Sequence, residues 1–477
     1  MTAIARIKRS QRPPQLWRPT RPDPAEGPLY LALADQLGAA IASGLLQPGD
    51  RLPPHRAVAS ALGIDVTTVT RAYREARRRG LVDAAAGRGT FVAAAPAAPA
   101  PAERRARPVV DIPMNVPPQP PEARLAERVA EAFAALQRRA DFQSLLSYGP
   151  SAGGEAEREA GAAWLRLRPL EATAEQVVVT PGAQAALTAL FAAFLEPGDL
   201  VLAEALAYPG FRTLAAHLRL RLEPVPLDGE GLVPEAMEEI CRRARPKALY
   251  CTPAIHNPTT ATMSAARAEA IAAIARRHGL LVVEDDAYGF LPAEAAPPLA
   301  SFAPELVFHV ATLSKCLAPG LRIAYLRAPQ PAQAVRLASA LRATALMASP
   351  LFAALAARWI EDGTAIDIVR AVRAENAARQ KIARELLGDF ELSAHPAGSH
   401  AWLALPRAWS RGEFVAHVRQ HGVAAVAADA FAIDGGAAPN AVRLALGASP
   451  DRAHLRRCLR IAADALTRAP EALSPVV

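Results

Sequence analysis

The chain has 477 residues, 51% apolar and 21% charged, enough to bury more than one core and unlike a disordered chain. Its net charge of +8 is uneven: residues 1–110 carry 17 Lys and Arg against 8 Asp and Glu, and the remainder 37 against 38. Cys241, Cys251, Cys316 and Cys458 stand too far apart for CxxC metal or redox spacing, which argues against zinc and disulfide scaffolds, and no run reaches the roughly 18 apolar residues of a membrane span.

Residues 1–22 are basic but lack the apolar stretch of a secretory signal, so a reducing, cytoplasmic setting is expected. A basic module on a near-neutral body suits a phosphate-backbone partner, with a solvated basic tail as the alternative. Leu29, Leu33, Leu37 and Ile41 recur at helical spacing and predict a helix over 29–43, followed by a turn at Gln47–Asp50. A short helix fits His55–Leu62. Gly63 ends it, and Asp65 caps a third helix with apolar positions Val66, Val69 and Tyr73. LVDAAAGRGTFV then predicts two strands joined at Gly87-Arg88-Gly89.

A helix-turn-helix sets the start of its second helix in the major groove, where Thr67, Thr68, Thr70 and Arg71 suit contacts to bases and phosphates. Helical spacing alone also fits a three-helix bundle with solvated arginines. The order PGDRLPPHRAVASALGIDVTTVTRAYREARRRGLV, followed by GRGTFV, resembles the winged-helix DNA-binding domain of GntR-type bacterial regulators over residues 29–92. The resemblance implies that Arg56 and Thr67 contact phosphate or base, that Arg71 lies on the recognition helix, and that Arg88 and Gly89 sit at the wing. Val66 stands where many relatives carry Arg.

Residues 93–111 are Ala- and Pro-rich and predict a semi-rigid linker between a head, 1–92, and a body, 112–477. In the body, strand-like runs at Val177–Thr180, Leu200–Ala203, Ala248–Cys251, Leu280–Glu284, Leu306–Val310 and Ile323–Leu326 alternate with helical ones, an α/β pattern. A smaller second lobe is expected from about residue 345 onward.

Only four of the 54 basic residues are lysines, and Lys315 follows a predicted strand with Thr312 before it and Arg322 after it. A lysine kept in an Arg-biased chain suits covalent capture of an aldehyde, and the hydroxyl and guanidinium suit a phosphate. Asp285 and Tyr288 follow another strand, where a carboxylate could pair with a protonated pyridine nitrogen. Singly, each has an ordinary reading: a surface lysine, a helix-capping carboxylate, a turn at Asn257-Pro258.

Together and in this order they resemble the fold-type I, aspartate-aminotransferase-like family of pyridoxal-phosphate proteins, over residues 148–447. The resemblance implies the cofactor pyridoxal 5'-phosphate, linked to Lys315. Gly182, Ala183, Gln184, Thr312 and Arg322 would surround its phosphate, Tyr208 would stack on its ring, Asn257 and Tyr288 would bond the ring hydroxyl, and Asp285 the ring nitrogen. Tyr148 and Arg158 would belong to the family's opening segment, and Arg443 would grip an amino-acid carboxylate. Thr260 replaces a common Gly, His256 precedes the Asn, and Leu206 stands where a Pro is common.

A GntR-type head joined to such a body resembles the MocR-type regulators across nearly the whole chain. That implies a homodimer binding double-stranded DNA and sensing pyridoxal phosphate, an amino-acid-like effector, or both. The alternative is a working aminotransferase carrying a DNA-binding head. No metal site is expected.

Overall fold

In the N-terminal unit, Met1–Pro108, helix α1 (Leu29–Ala42) buries Leu33 and Leu37 against α2 (His55–Leu62) and α3 (Val66–Arg78). The computed structural model describes residues 17, 19–21, 29–43, 45–47, 49–78, 81–85, 89–92, 115–423, 425–433 and 438–467. Gly63 closes α2 with a left-handed φ of 62°, and its amide bonds Ala59 O. Asp65 Oδ1 then accepts from Thr67 N at 2.7 Å and starts α3.

Val69 and Tyr73 enter the core as expected, but Val66 does not: it is 39% exposed. Helical side chains tilt toward the N-terminus, so the first residue of α3 reaches past the helix end rather than onto the α1–α2 contact. Strands β1 (Val82–Ala85) and β2 (Gly89–Val92) pair antiparallel from Val82↔Val92 to Ala85↔Gly89. The far edge of β2 is also paired, since Leu52 N donates to Thr90 O and Val92 N to Asp50 O. Arg88 and the linker 93–111 lie outside the described residues.

The second unit, Val109–Val477, is built on a seven-stranded mixed sheet. Its strands are β3 (Val177–Thr180), β4 (Leu200–Glu204), β5 (Arg221–Val225), β8 (Ala248–Cys251), β9 (Leu281–Asp286), β10 (Val307–Thr312) and β11 (Ala324–Arg327); a two-residue hairpin, β6 (Leu227–Asp228) and β7 (Gly231–Leu232), follows β5. The order is β3-β11-β10-β9-β8-β4-β5. Only β11 is antiparallel to its neighbours, so β4, β5, β8, β9 and β10 all end on one side of the sheet. That is where an open α/β sheet assembles ligands. Strand β5, RLEPV, escapes the alternation pattern because it is a half-buried edge strand containing Pro.

A four-stranded antiparallel sheet, β12 (Leu392–Ala394), β13 (His400–Ala404), β14 (Ala425–Ala427) and β15 (Ala441–Ala445), forms the smaller lobe in the order β12-β13-β15-β14. The expected lobe boundary near residue 345 falls too early. The helix Pro350–Glu361 buries Trp359 in the large-lobe core with Trp164, and the helix Thr364–Leu387 begins there with Ile368 and Val372. The second half of that helix, at Ile382 and Leu387, enters the small-lobe core with Phe414 and Val442. Helical periodicity marks such a helix but does not say which core its apolar stripe meets.

Candidate cofactor site and DNA-binding face

Strands β9 and β10 run side by side, with Val310 opposite Asp285 and Ala311 opposite Asp286. Alternation along β9 sends Glu284 and Asp286 to one face and Asp285 to the other. Glu284 accepts from the amides of Leu299 and Ala300 and pairs with His309, and Asp286 accepts from Arg168 at 2.6 Å and from Gly289 N. Those two carboxylates are structural. Asp285 differs: Tyr250 donates to its Oδ2 at 2.8 Å, while its buried Oδ1 has no hydrogen-bond partner among the described residues. Burial pushes this carboxyl up to about 6 against the opposing Tyr250 bond.

Lys315 follows β10, and its Nζ donates to the main-chain oxygen of Asn115 at 2.5 Å. Burial, then the positive charge of Arg443, holds this amine down at about 8, although Asp285 opposes them. Beside it, Asn115 Nδ2 donates to Tyr288 Oη at 2.9 Å, and burial pushes that phenol up to about 12. Thr312 Oγ1 donates to Ser314 Oγ and accepts from Ser314 N, tying down the turn that carries Lys315. Arg443, from β15, donates through Nη1 to Asn257 Oδ1 at 2.7 Å and lies 5.0 Å from the Phe431 ring. Burial pulls its guanidinium down to about 10.

An anion corner lies at the end of β3. Gly182, at φ 92°, precedes the helix Ala183–Phe194, which has no side-chain cap. A Cβ on Gly182 would stand 2.7 Å from Arg322 Nη2. A helix start with an arginine beside it attracts anions. Tyr208 begins the helix Pro209–His217, and a Cβ on Gly210 would meet its ring at 2.4 Å.

Not every expected residue converges here. Gln184 turns its amide to Gly210 O at 3.1 Å rather than to Arg322. Arg158 donates to Ala174 O, and Tyr148 stands 82% exposed. Thr260 adopts a left-handed φ of 65° at the position where the family pattern has Gly. His256 points away from Asn257, toward Leu206 O and Thr259.

Asn115, Tyr250 and His400 belong to the cluster yet stand in no motif: Tyr250 reads as strand core, and nothing in MNVPPQP marks an asparagine for burial. The cluster offers an unmet buried acceptor, an amine of lowered basicity and an anion corner, three features suited to a pyridine aldehyde phosphate. A cavity of about 970 Å³ lies apart from Lys315 and Asp285, lined by Leu206, Thr260, Trp402 and Ala432 among others.

In the head, Thr67 is exposed and Thr68 half-buried at the start of α3, and Arg56 is exposed on α2. Thr70 is half-buried; its hydroxyl donates to Val66 O and meets His55. Arg71 is exposed but lies over the Tyr30 ring of α1 at 4.2 Å. Gly89 opens β2 at φ 112°, and a Cβ there would come within 3.1 Å of Arg51 Nε, a wing-side cation the motif did not single out. No helix among the described residues is long and apolar enough to cross a membrane, and they hold no cluster of His, Cys, Asp and Glu fit for a metal ion.

Residues 107–461 match the family "Aminotransferase class I and II", and residues 29–92 match "Bacterial regulatory proteins, gntR family". The uncharacterized HTH-type transcriptional regulator YdeF of Bacillus subtilis is 31% identical over 94% of this chain and 96% of its own length. The HTH-type transcriptional regulator TauR of Rhodobacter capsulatus is 30% identical, covering 83% of this chain and 88% of its own. Among solved structures, LysN, the α-aminoadipate aminotransferase of Thermus thermophilus complexed with N-(5'-phosphopyridoxyl)-L-leucine, is similar with a TM-score of 0.67 and 29% identity. The match covers 75% of this chain and 91% of that one.

Proposed function

The chain belongs to the aminotransferase class I and II family and carries a GntR-family head, the architecture of MocR-type transcriptional regulators. On that premise we propose that it is a DNA-binding regulator whose body holds pyridoxal phosphate at Lys315 and senses the cofactor, an amino compound, or both. The unmet Oδ1 of buried Asp285 supports this most directly, because a protonated ring nitrogen is the donor that such an oxygen lacks.

When bound, pyridoxal phosphate supplies an aldehyde open to amines and an electron-withdrawing ring. Lys315 provides the neutral amine, which predominates above about pH 8. Asp285 would accept the ring N–H at Oδ1, with Tyr250 steadying Oδ2. Arg322 and the amides after Gly182 would hold the phosphate, Tyr208 would serve the ring, and Tyr288 and Asn257 the ring hydroxyl. Arg443, held by Asn257, is the arginine for a carboxylate of an incoming amino compound. The sensed molecule must bind two arrangements of the protein unequally to change DNA binding.

On the head, Thr67, Thr68, Arg56 and Arg71 are the groove- and phosphate-facing candidates, with Gly89 at the wing. Two chains would place two heads on paired half-sites. The complete set of Lys315, Asp285 and Arg443 also favours a second reading, a transaminase with a DNA-binding head. The absorption spectrum of the protein with pyridoxal phosphate, before and after borohydride, tests the cofactor claim: a visible band absent from Lys315→Ala is expected, and its absence from the wild type refutes it. Sustained, Lys315-dependent formation of oxo acids from an amino-acid panel would favour the second reading.

A further inference from the structure

Asn115 is buried, 5% exposed, and each polar atom of its side chain is engaged. Besides its main-chain bond to Lys315, its Nδ2 lies 2.9 Å from Tyr288 Oη and 2.9 Å from His400 Nδ1, and its Oδ1 accepts from Ser399 Oγ at 3.2 Å. The loop ending at Ser399 and the start of β13 at His400 are themselves fixed from behind, where Asn376 Nδ2 bonds Ala397 O and Gln380 Nε2 bonds the oxygens of Gly398 and His400.

The direction of each bond follows from His400. Burial, and next the charge of Arg443, holds this imidazole down at about 3. It is therefore neutral, with one ring proton. Its Nε2 lies 3.1 Å from the main-chain oxygen of His256, which can only accept, so the proton sits on Nε2 and Nδ1 is an acceptor. Asn115 must then turn its NH2 to His400, because the opposite amide orientation would set Oδ1 against the Nδ1 lone pair. The second hydrogen of that NH2 goes to Tyr288 Oη. With its oxygen accepting there, the Tyr288 hydroxyl directs its own proton away from Asn115.

We propose that Asn115 is a positioning residue that, together with the His256 main-chain oxygen, holds the Nε2–H tautomer of His400 and sets the outward donor direction of the Tyr288 hydroxyl, so that a ligand beside Lys315 meets a hydroxyl donor. The ligand atom facing Tyr288 is then an acceptor oxygen. An Asn115→Asp carboxylate keeps the size and the acceptor for Ser399 but cannot donate. Tyr288 would turn its proton inward, and His400 would move its proton to Nδ1 or gain a second one.

The ligand-affinity part of the test rests on the cofactor reading, and the tautomer part does not. Nitrogen NMR of the ligand-free full chain, with the His400 signals assigned by their loss in His400→Gln, should show Nε2–H in the wild type and a changed state in Asn115→Asp. A wild-type Nδ1–H tautomer overturns the proposal even if no variant folds. For pyridoxal phosphate, Asn115→Asp and Tyr288→Phe should each weaken affinity by about tenfold. Asn115→Asp should add nothing in the Tyr288→Phe background, and fully additive losses overturn the proposal. A wild type that takes up no pyridoxal phosphate refutes the cofactor reading alone, and the tautomer still decides the role of Asn115.

Discussion

Residues that look alike in sequence are set apart by their surroundings. Glu284, Asp285 and Asp286 are adjacent carboxylates, yet amides, His309 and Arg168 occupy the first and third while the middle one keeps an oxygen unmet among the described residues. Lys315 likewise departs from an ordinary lysine, because burial and Arg443 favour its neutral form. Lowering the amine from the usual lysine range to about 8 means that protonation blocks attack below that pH and no longer does so above it. The initial rate at which the visible band appears should therefore rise with pH and level off near 8; a rate still climbing through the ordinary lysine range would contradict this. At the anion corner, Gly182→Ala places a Cβ 2.7 Å from Arg322 in a left-handed backbone. It should weaken cofactor binding by about tenfold or more, measured by titration, with circular dichroism unchanged.

Secondary-structure elements carry the head's stability and its reading surface separately. Leu37 in α1 is buried among Val58, Val69 and Tyr73 and faces no candidate DNA contact. Leu37→Ala should lower the stability of the head by about 2–5 kcal/mol in urea unfolding while leaving the Lys315 band intact. Replacing the exposed Arg71 of α3, Arg71→Ala, should weaken binding to the DNA upstream of the protein's own gene at matched salt, and unchanged affinity would remove Arg71 from the recognition face. Much of this layout is legible in the sequence. Gly63 and Asp65 bracket a turn by local chemistry, and five of the buried central strands show as continuous apolar runs. What escapes is set by tertiary partners. Val66 has helical spacing but no helix turn before it to pack under, β5 is an edge strand, and the helix Thr364–Leu387 serves two cores. At the site, Lys315, Asp285 and Arg322 are visible as motif members. Asn115 and Tyr250 are not, because their roles come from contacts made across the fold.

At the scale of the whole molecule, the central claim is that chemistry at Lys315 changes how the head binds DNA. A GntR-family head with exposed arginines gives a salt-dependent phosphate contribution, so comparisons are meaningful only at fixed ionic strength. The affinity of the full chain for the DNA upstream of its own gene, measured by fluorescence anisotropy at one salt concentration with and without pyridoxal phosphate, tests the claim directly in wild type and Lys315→Ala. The account predicts a shift of about fivefold or more in the wild type, the range of an ordinary coupling between two sites, and no shift in Lys315→Ala. Equal affinities with and without the cofactor in the wild type, or the same shift in Lys315→Ala, would contradict it.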